Sequence, residues 1–382
     1  MKQMKKKLTL TAIALGVVVI AVLTVMYTKA ENQPDSVRQA CEAFDEAVQA
    51  TEKNNAVYAY LMKHGFESEY TTMKDSLLTE LNNGSMTAQE AMAQYILWFN
   101  NFDRHNMLYS DDFYFAKLML SKSGLINYEE TIPQYAPQPV GCKVDDDTYL
   151  LRLPSCEGEN PTWEWMLQKK EEFLKSGCQY LILDVRGNSG GSDKYSSLFA
   201  EMMCDTSTLY SSQLWYLNSK ENNKELERLY EASSDTTIAQ VLAEARDKPE
   251  GTLIKWYDTV TDNDNYTPKV LQGAIIIDNF TCSAGESAVR IVRQFSKSHA
   301  KVYGREGTMG GEHSGNCNFI QLTKSDMTIQ YPICVMSTIE EVCKSRKPGH
   351  QPDIIIPLPY PDQLTDNIDP WVLWVAKDMK KQ

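Results

Sequence analysis

Tyr180-Leu-Ile-Leu-Asp-Val-Arg-Gly-Asn-Ser-Gly-Gly191 is the stretch from which the fold is read. Residues 180–183 are apolar without interruption and end in Asp184. A strand with one wet face alternates polar and apolar residues; a run that is apolar throughout fits a parallel strand covered on both faces. Gly187, Gly190 and Gly191 then allow positive φ and close approach of backbone. Residues 192–204 read as a helix. A strand, a glycine loop and a helix in that order argue an α/β fold. Such a loop can aim successive N–H groups at one point, as an anion or oxyanion site needs. The phosphate-binding patterns G-x-x-x-x-G-K-[ST] and G-x-G-x-x-G are absent, which argues against a nucleotide.

A second unit of the same kind lies at Asp278-Asn-Phe-Thr-Cys-Ser-Ala-Gly-Glu286. The apolar run 274–278 predicts another buried strand, and 284–295 predicts a helix. Ser283 and Glu286 have capping-box spacing, and a serine there caps helices far more often than it attacks carbonyls. The same place, however, exposes a hydroxyl at the C-terminal edge of a parallel sheet, where a helix N-terminus favours developing negative charge. The Ala284 amide could complete an oxyanion site with Gly190 and Gly191.

Outward from these units, strands are expected at 148–153, near Val302, and at 319–322, 328–333 and 354–356, with a helix at 163–174. Residues 217–250 are charged and helical and read as an insertion. Three prolines between 133 and 139 read as a linker. Before it, residues 36–125 read as helical, with apolar residues at three- and four-residue spacing over 37–47 and 88–99. Thr87-Ala-Gln-Glu90 is a capping box that would start the latter. The domains expected are therefore an N-terminal segment at 1–30, a helical domain at 31–135 and an α/β domain at 136–382.

Lys2, Lys5, Lys6 and Lys7 precede a charge-free apolar run over 8–26. Basic residues before such a run keep the N-terminus cytoplasmic and export the chain beyond the run, so 1–30 is expected to be a signal peptide or a membrane anchor. The net charge of −13, without a basic block beyond the first residues, argues against nucleic acid. Nine cysteines leave at least one thiol without an intramolecular partner. None has zinc spacing, so neither a metal nor another cofactor is expected.

Together, YLILDVRGNSGG and IIIDNFTCSAGESA resemble the LILDLRGNPGG loop and the VLVDxxTxSASEI nucleophile segment of the C-terminal processing, or tail-specific, serine peptidases. Tyr303-Gly-Arg-Glu-Gly-Thr-Met-Gly-Gly311 is similar to their VGExTxGKG turn, Gly349-His-Gln-Pro-Asp-Ile354 to their closing PDI segment, and YLLRLPSC at 149–156 to their opening strand. The order matches over about residues 90–360. The resemblance implies a crotonase-like α/β domain with Ser283 as nucleophile. Two departures stand out. Gly311 occupies the place of the lysine in the Ser–Lys dyad, with Lys301 and Lys324 the nearest lysines in sequence. The span from His105 to the opening strand is too short for a PDZ domain.

The tricorn-like branch of the family uses Ser–His–Glu, with a D-x-H motif ahead of the catalytic domain. Asp103-Arg-His105 stands at the matching place. His105 is therefore the expected base, His313 the rival, and Glu341 or its neighbour Glu340 the orienting carboxylate. A lone histidine is ordinarily a packing or surface residue, and the motif raises its standing here. The function expected is hydrolysis of proteins or peptides through an acyl-enzyme, outside the cytoplasm, by an endopeptidase. Its catalytic residues would be Ser283, His105 and Glu341, with an oxyanion site at Gly190, Gly191 and Ala284. The alternatives are an inactive member that binds peptide or a small apolar ligand, and a crotonase-type acyl-CoA enzyme, which the export segment opposes.

Overall fold

The computed structural model describes residues 35–110, 113–204, 213–257, 269–296 and 299–381. The expected export segment lies outside them. Among the described residues no helix is long and apolar enough to cross a membrane.

The described residues open with four helices, α1 (Asp35–Asn54), α2 (Ala56–Lys63), α3 (Glu67–Asn82) and α4 (Ala88–Phe99). The capping box forms as expected: Thr87 Oγ1 accepts from Glu90 N–H at 3.2 Å, and Thr87 N–H donates to Glu90 Oε2 at 2.9 Å. The helical reading of 36–125 holds for α1–α4 and again at 115–123, and is interrupted between them by strands. Met107–Ser110 is strand β1, succeeded by β2 (Phe113–Tyr114), α5 (Phe115–Ser123) and a single turn, α6 (Tyr128–Thr131). The linker carries β3 (Gln134–Tyr135).

The α/β part then runs β4 (Val140–Lys143), β5 (Thr148–Arg152), α7 (Trp163–Ser176), β6 (Tyr180–Asp184), α8 (Asp193–Ala200), β7 (Leu214–Leu217), α9 (Lys220–Ser233), α10 (Thr236–Arg246) and β8 (Leu253–Tyr257). It closes with β9 (Gln272–Ile276), α11 (Ala284–Phe295), β10 (Ala300–Gly304), β11 (Ser314–Gln321), β12 (Thr328–Met336), α12 (Ile339–Ser345), β13 (Ile354–Ile355), β14 (Gln363–Leu364) and α13 (Pro370–Asp378).

Six strands form one sheet in the order β13-β10-β9-β6-β5-β4, parallel except for the β4–β5 pair. Its two faces explain the unbroken apolar run of β6. Leu181 and Leu183 pack on one face with Phe173, Phe199 and Val289 of the helices α7, α8 and α11. Ile182 packs on the other with Trp371 and Val375 of α13. Asp184 and Ile276 are paired in register at the C-terminal ends of β6 and β9. The loops that leave these two strands therefore lie side by side, where ligands of open α/β sheets bind.

The second sheet has the order β2-β1-β12-β7-β8, with β11 on the other side of β12. One hydrophobic core joins this sheet to α1–α4 and to α9 and α10: Phe44, Leu61, Tyr95, Tyr216, Leu226, Val241 and Ile333 all belong to it. The helices of the expected insertion thus share a core with the N-terminal helices, through strands β7 and β8 that frame them.

Beneath the first sheet's loops lies a buried cluster of four charges. Arg152 Nε and Arg186 Nη2 each donate to Asp184 Oδ2 at 2.7 Å, and the two guanidinium groups reach Asp369 Oδ2 at 2.7 and 2.6 Å. Burial alone would raise the Asp184 pKa, but Arg186 and Arg152 hold it down at about 2. Asp369 also caps α13 by accepting from Trp371 N–H at 2.9 Å. Removing one partner of a buried ion pair costs about 3–5 kcal/mol. Asp369→Ala should therefore lower the urea midpoint at pH 7 by a corresponding amount. Because Asp184 is depressed in the folded state, its contribution is complete above the unfolded-state pKa of about 4. Wild-type stability should accordingly be held at pH 5 and fall as pH drops from about 4 toward 2; a wild-type midpoint unchanged over that acid range would contradict the role given to the cluster.

Candidate active site

The loop after β6 is built around Asn188. Its Nδ2 donates to Leu153 O at 2.8 Å and its Oδ1 accepts from Gly190 N–H at 2.9 Å. Its carbonyl accepts from Cys282 N–H at 2.8 Å, which sets the β6 loop against the β9 loop. Gly190 and Gly191 have φ of +118° and +125°, a region that L side chains rarely adopt. A Cβ on Gly190 would fall 2.7 Å from Ser283 Cβ, 3.1 Å from Ser283 Oγ and 3.4 Å from Ala284 N. The absent side chain is thus the space in front of Ser283. The Gly190 N–H is spent on Asn188, so the oxyanion donors expected at 190, 191 and 284 reduce to two. Among the described residues, nothing accepts from the N–H groups of Gly191 and Ala284.

Ser283 itself has φ +52° and ψ −123°. A non-glycine residue held there costs about 1–3 kcal/mol and persists only where its surroundings over-determine it. Glu286 supplies much of that determination. Its carboxylate is buried; Oε2 accepts from Ser283 N–H at 3.2 Å and from Gly311 N–H at 2.7 Å, and Oε1 from Gly310 N–H at 3.0 Å and from Thr308 Oγ1. One carboxylate therefore fixes both the serine and the glycine turn at 308–311. Burial raises its pKa, opposed by His350 and assisted by Glu312. The capping-box spacing points to Glu286, although nothing in the sequence ties it to the glycine turn.

His105 lies against that turn. A Cβ on Gly311 would fall 2.5 Å from Cys282 Sγ and 3.4 Å from His105 Cε1. The imidazole thus approaches the residue that immediately precedes Ser283. Asp103 Oδ1 accepts from His105 N–H and faces His105 Nδ1, both at 3.0 Å; it also accepts from Ser314 Oγ at 2.5 Å. Asp103 Oδ2 accepts from His313 N–H at 2.8 Å. The Asp103 carboxylate makes Nδ1 the protonated nitrogen of the neutral ring, which leaves Nε2 with its lone pair. Burial works against each charge, but each group favours the other's charged form. The net result is a lowered pKa for Asp103 and a raised one for His105.

Glu341 and Glu340 stand exposed on α12, where Glu340 accepts from Tyr60 Oη at 3.2 Å. The carboxylate on His105 is therefore Asp103, and the expectation of Glu341 is corrected. The D-x-H spacing held this answer, because two residues suffice for an aspartate to grip both a following amide and a ring. His313 has both ring nitrogens engaged: Nδ1 with Thr338 Oγ1 at 3.0 Å and Nε2 with Pro348 O at 2.9 Å. Since a carbonyl can only accept, Nε2 carries the proton and Nδ1 is occupied. Lys301 sits inside β10 in register with Ala274, and Lys324 Nζ reaches Glu42 on α1 at 3.5 Å.

Ser283 opens on a cleft of about 820 Å³. Gly191, Asp193, Glu312 and Ser314 line it near the serine's loops, and Leu229, Ile238 and Trp256 line it from α9, α10 and β8. Glu312 is held by Arg290 and by His350 Nε2, and despite burial its pKa falls to about 2. Among the described residues no cluster of His, Cys, Asp or Glu could hold a metal ion. All nine cysteines are free thiols. Gly190→Ala should push Ser283 out of place while the β6–β9 pairing survives. The expected result is at least a tenfold slower labelling of Ser283 by a fluorophosphonate, with a far-UV circular dichroism spectrum like that of wild type.

Among solved structures, a Parabacteroides merdae protein proposed to be a peptidase aligns with 85% of this chain and 90% of its own, at 15% identity and a TM-score of 0.48. A lipoprotein from Streptococcus agalactiae aligns with 91% of this chain and 97% of its own, at 15% identity and a TM-score of 0.41. The photosystem II D1 C-terminal processing protease aligns with 55% of this chain and 42% of its own, at 16% identity and a TM-score of 0.33. No curated protein sequence matches. The sequence pattern of peptidase family S41 matches residues 147–356, more than half of the chain and the whole span from β5 to β13. With that match, the chain belongs to peptidase family S41.

Proposed function

We propose that this member of the family is an active serine endopeptidase of the tricorn-like kind, with a histidine in place of the lysine base and a crotonase-like catalytic domain without a PDZ domain. Family membership makes it a serine peptidase acting on proteins or peptides. The observation that carries the finer reading is the Asp103–His105 pair, its Nε2 unengaged among the described residues, set against Gly311 and Cys282 beside the strained Ser283. In this reading Ser283 Oγ attacks the scissile carbonyl, and His105 Nε2 accepts its proton and returns it to the leaving amine. Asp103 holds the ring and stabilises the imidazolium. The N–H groups of Gly191 and Ala284 receive the oxyanion. Water then releases the acyl group from Ser283. The lysine-flanked apolar run at 8–26 supports export, with residues 31 onward outside the cytoplasmic membrane and 1–30 either cleaved or retained as an anchor.

Ser283→Ala should lower kcat by several orders of magnitude with little change in thermal stability. A variant that retained a tenth of wild-type turnover would remove Ser283 from the mechanism. The same experiment separates an active peptidase from a peptide-binding relative, since wild type inert to peptides and to fluorophosphonates would favour the latter.

The base sets the pH dependence. His105 must be neutral to accept a proton, and Asp103 raises its pKa above the ordinary 6.5. kcat/KM should therefore rise with pH, with its midpoint on the alkaline side of 6.5. Asp103→Asn removes the charge that favours imidazolium and disturbs the tautomer. The limb should move to lower pH, and kcat should fall by about 10³- to 10⁴-fold. His313→Gln should leave the midpoint in place, and a midpoint that tracks His313 instead would overturn the assignment.

A further inference from the structure

A second cleft, of about 880 Å³, opens on the side of the N-terminal helices. Its walls are Met73 and Leu77 of α3, Leu97 and Trp98 of α4, and Leu118 of α5, and Arg104 lies in its lining. Arg104 is the residue between the proposed base and the aspartate that orients it. Its own N–H donates to Gly310 O at 2.9 Å and its Nη1 to Met309 O at 2.6 Å. Among the described residues no carboxylate pairs with it, and its buried Nε has no partner. Burial lowers its pKa, and the nearby carboxylates of Glu286 and Asp103 only partly offset this. A half-buried guanidinium without a paired carboxylate is costly, and an unsatisfied donor of this kind calls for a partner such as an ion or a ligand.

The chemistry of the walls decides what kind of anion would fit. Most of the polar groups around the cleft are already committed. Glu90 closes the capping box with Thr87, and the Asn101 amide donates to Trp98 O at 3.0 Å. Asn100 is placed to donate to the carbonyls of Asp103 and Asn106. Ser76 and Gln94 remain at the rim. A peptide backbone would bring amides that find few partners here, whereas an alkyl chain needs none. Lys122, also in the lining, adds a second cation.

We infer that this cleft binds a medium-chain fatty acid, its carboxylate on Arg104 and its chain along Met73, Leu77, Leu97, Trp98 and Leu118. The site is separate from the serine cleft; among the described residues its lining reaches the proposed catalytic residues through Arg104, which bonds the 309–310 carbonyls, and through Asn100, placed against the Asp103 carbonyl. Its existence does not depend on the peptidase reading, since binding can be measured on the Ser283→Ala protein.

The test is calorimetric titration of the full-length chain with decanoate and, as an uncharged match, decanol. Decanoate should saturate one site with a Kd at least tenfold below that of decanol, the margin of one charge-assisted contact. Arg104→Gln should remove that difference. Leu97→Asp, at a half-buried wall position, should weaken decanoate at least tenfold without touching the glycine turn. Equal affinity for decanoate and decanol in wild type would overturn the inference, as would binding that neither substitution alters. A leucine-ended free-acid pentapeptide that bound where decanoate did not would overturn the fatty-acid assignment.

Discussion

The carboxylate of Asp103 is the contact on which the proposed catalytic geometry depends. It is fully buried and takes four donors from two stretches of chain more than two hundred residues apart. Two come from His105, at the end of the helical region; the others are Ser314 Oγ and His313 N–H, at the entrance to β11. A buried carboxylate is stable only when its lone pairs are satisfied. The N-terminal helices and the second sheet are thereby held in a single register, and the imidazole has one orientation available to it.

Glu286 does the equivalent on the other side. It gathers the serine amide and the glycine turn into one cradle, while Arg104 holds the same turn from the opposite direction through its carbonyls. The turn at 308–311 is therefore gripped from both cores, its N–H groups by an anion and its C=O groups by a cation. Complementary backbone groups thus bring the two halves of the site together.

Much of this is legible in the sequence where the chain is regular. β6 and α11 fall where the apolar runs put them, and the strand–glycine–helix units locate Ser283 and its neighbours at one sheet edge. Periodicity fails where strands are short and their partners distant. β7 and β8 flank an evidently helical insertion, and each pairs with chain outside its own local pattern, β7 with the distant β12. β1 is hidden in a helical pattern for the same reason. The resemblance to the tricorn-like branch leads to a downstream glutamate and so to Glu341, whereas the nearer Asp103 is already in hydrogen-bonding range. The expected donor at Gly190 is lost to Asn188, a side chain that reads as an ordinary loop residue.

The packing of Cys282 against Gly311 bears on how such a site could diverge. The relatives that rely on a lysine place it in the glycine turn, where this chain has Gly311. Here even a methyl group at that position would meet Cys282 Sγ at 2.5 Å and the His105 ring at 3.4 Å. A side chain there could enter only if Cys282 Sγ moved, and it would then lie in van der Waals contact with the imidazole. If His105 is the base, as proposed, the two kinds of base would be neighbours in space, and positions 105, 282 and 311 are coupled by packing. On that reading, a route between a histidine-dependent and a lysine-dependent form would alter residues 282 and 311 together.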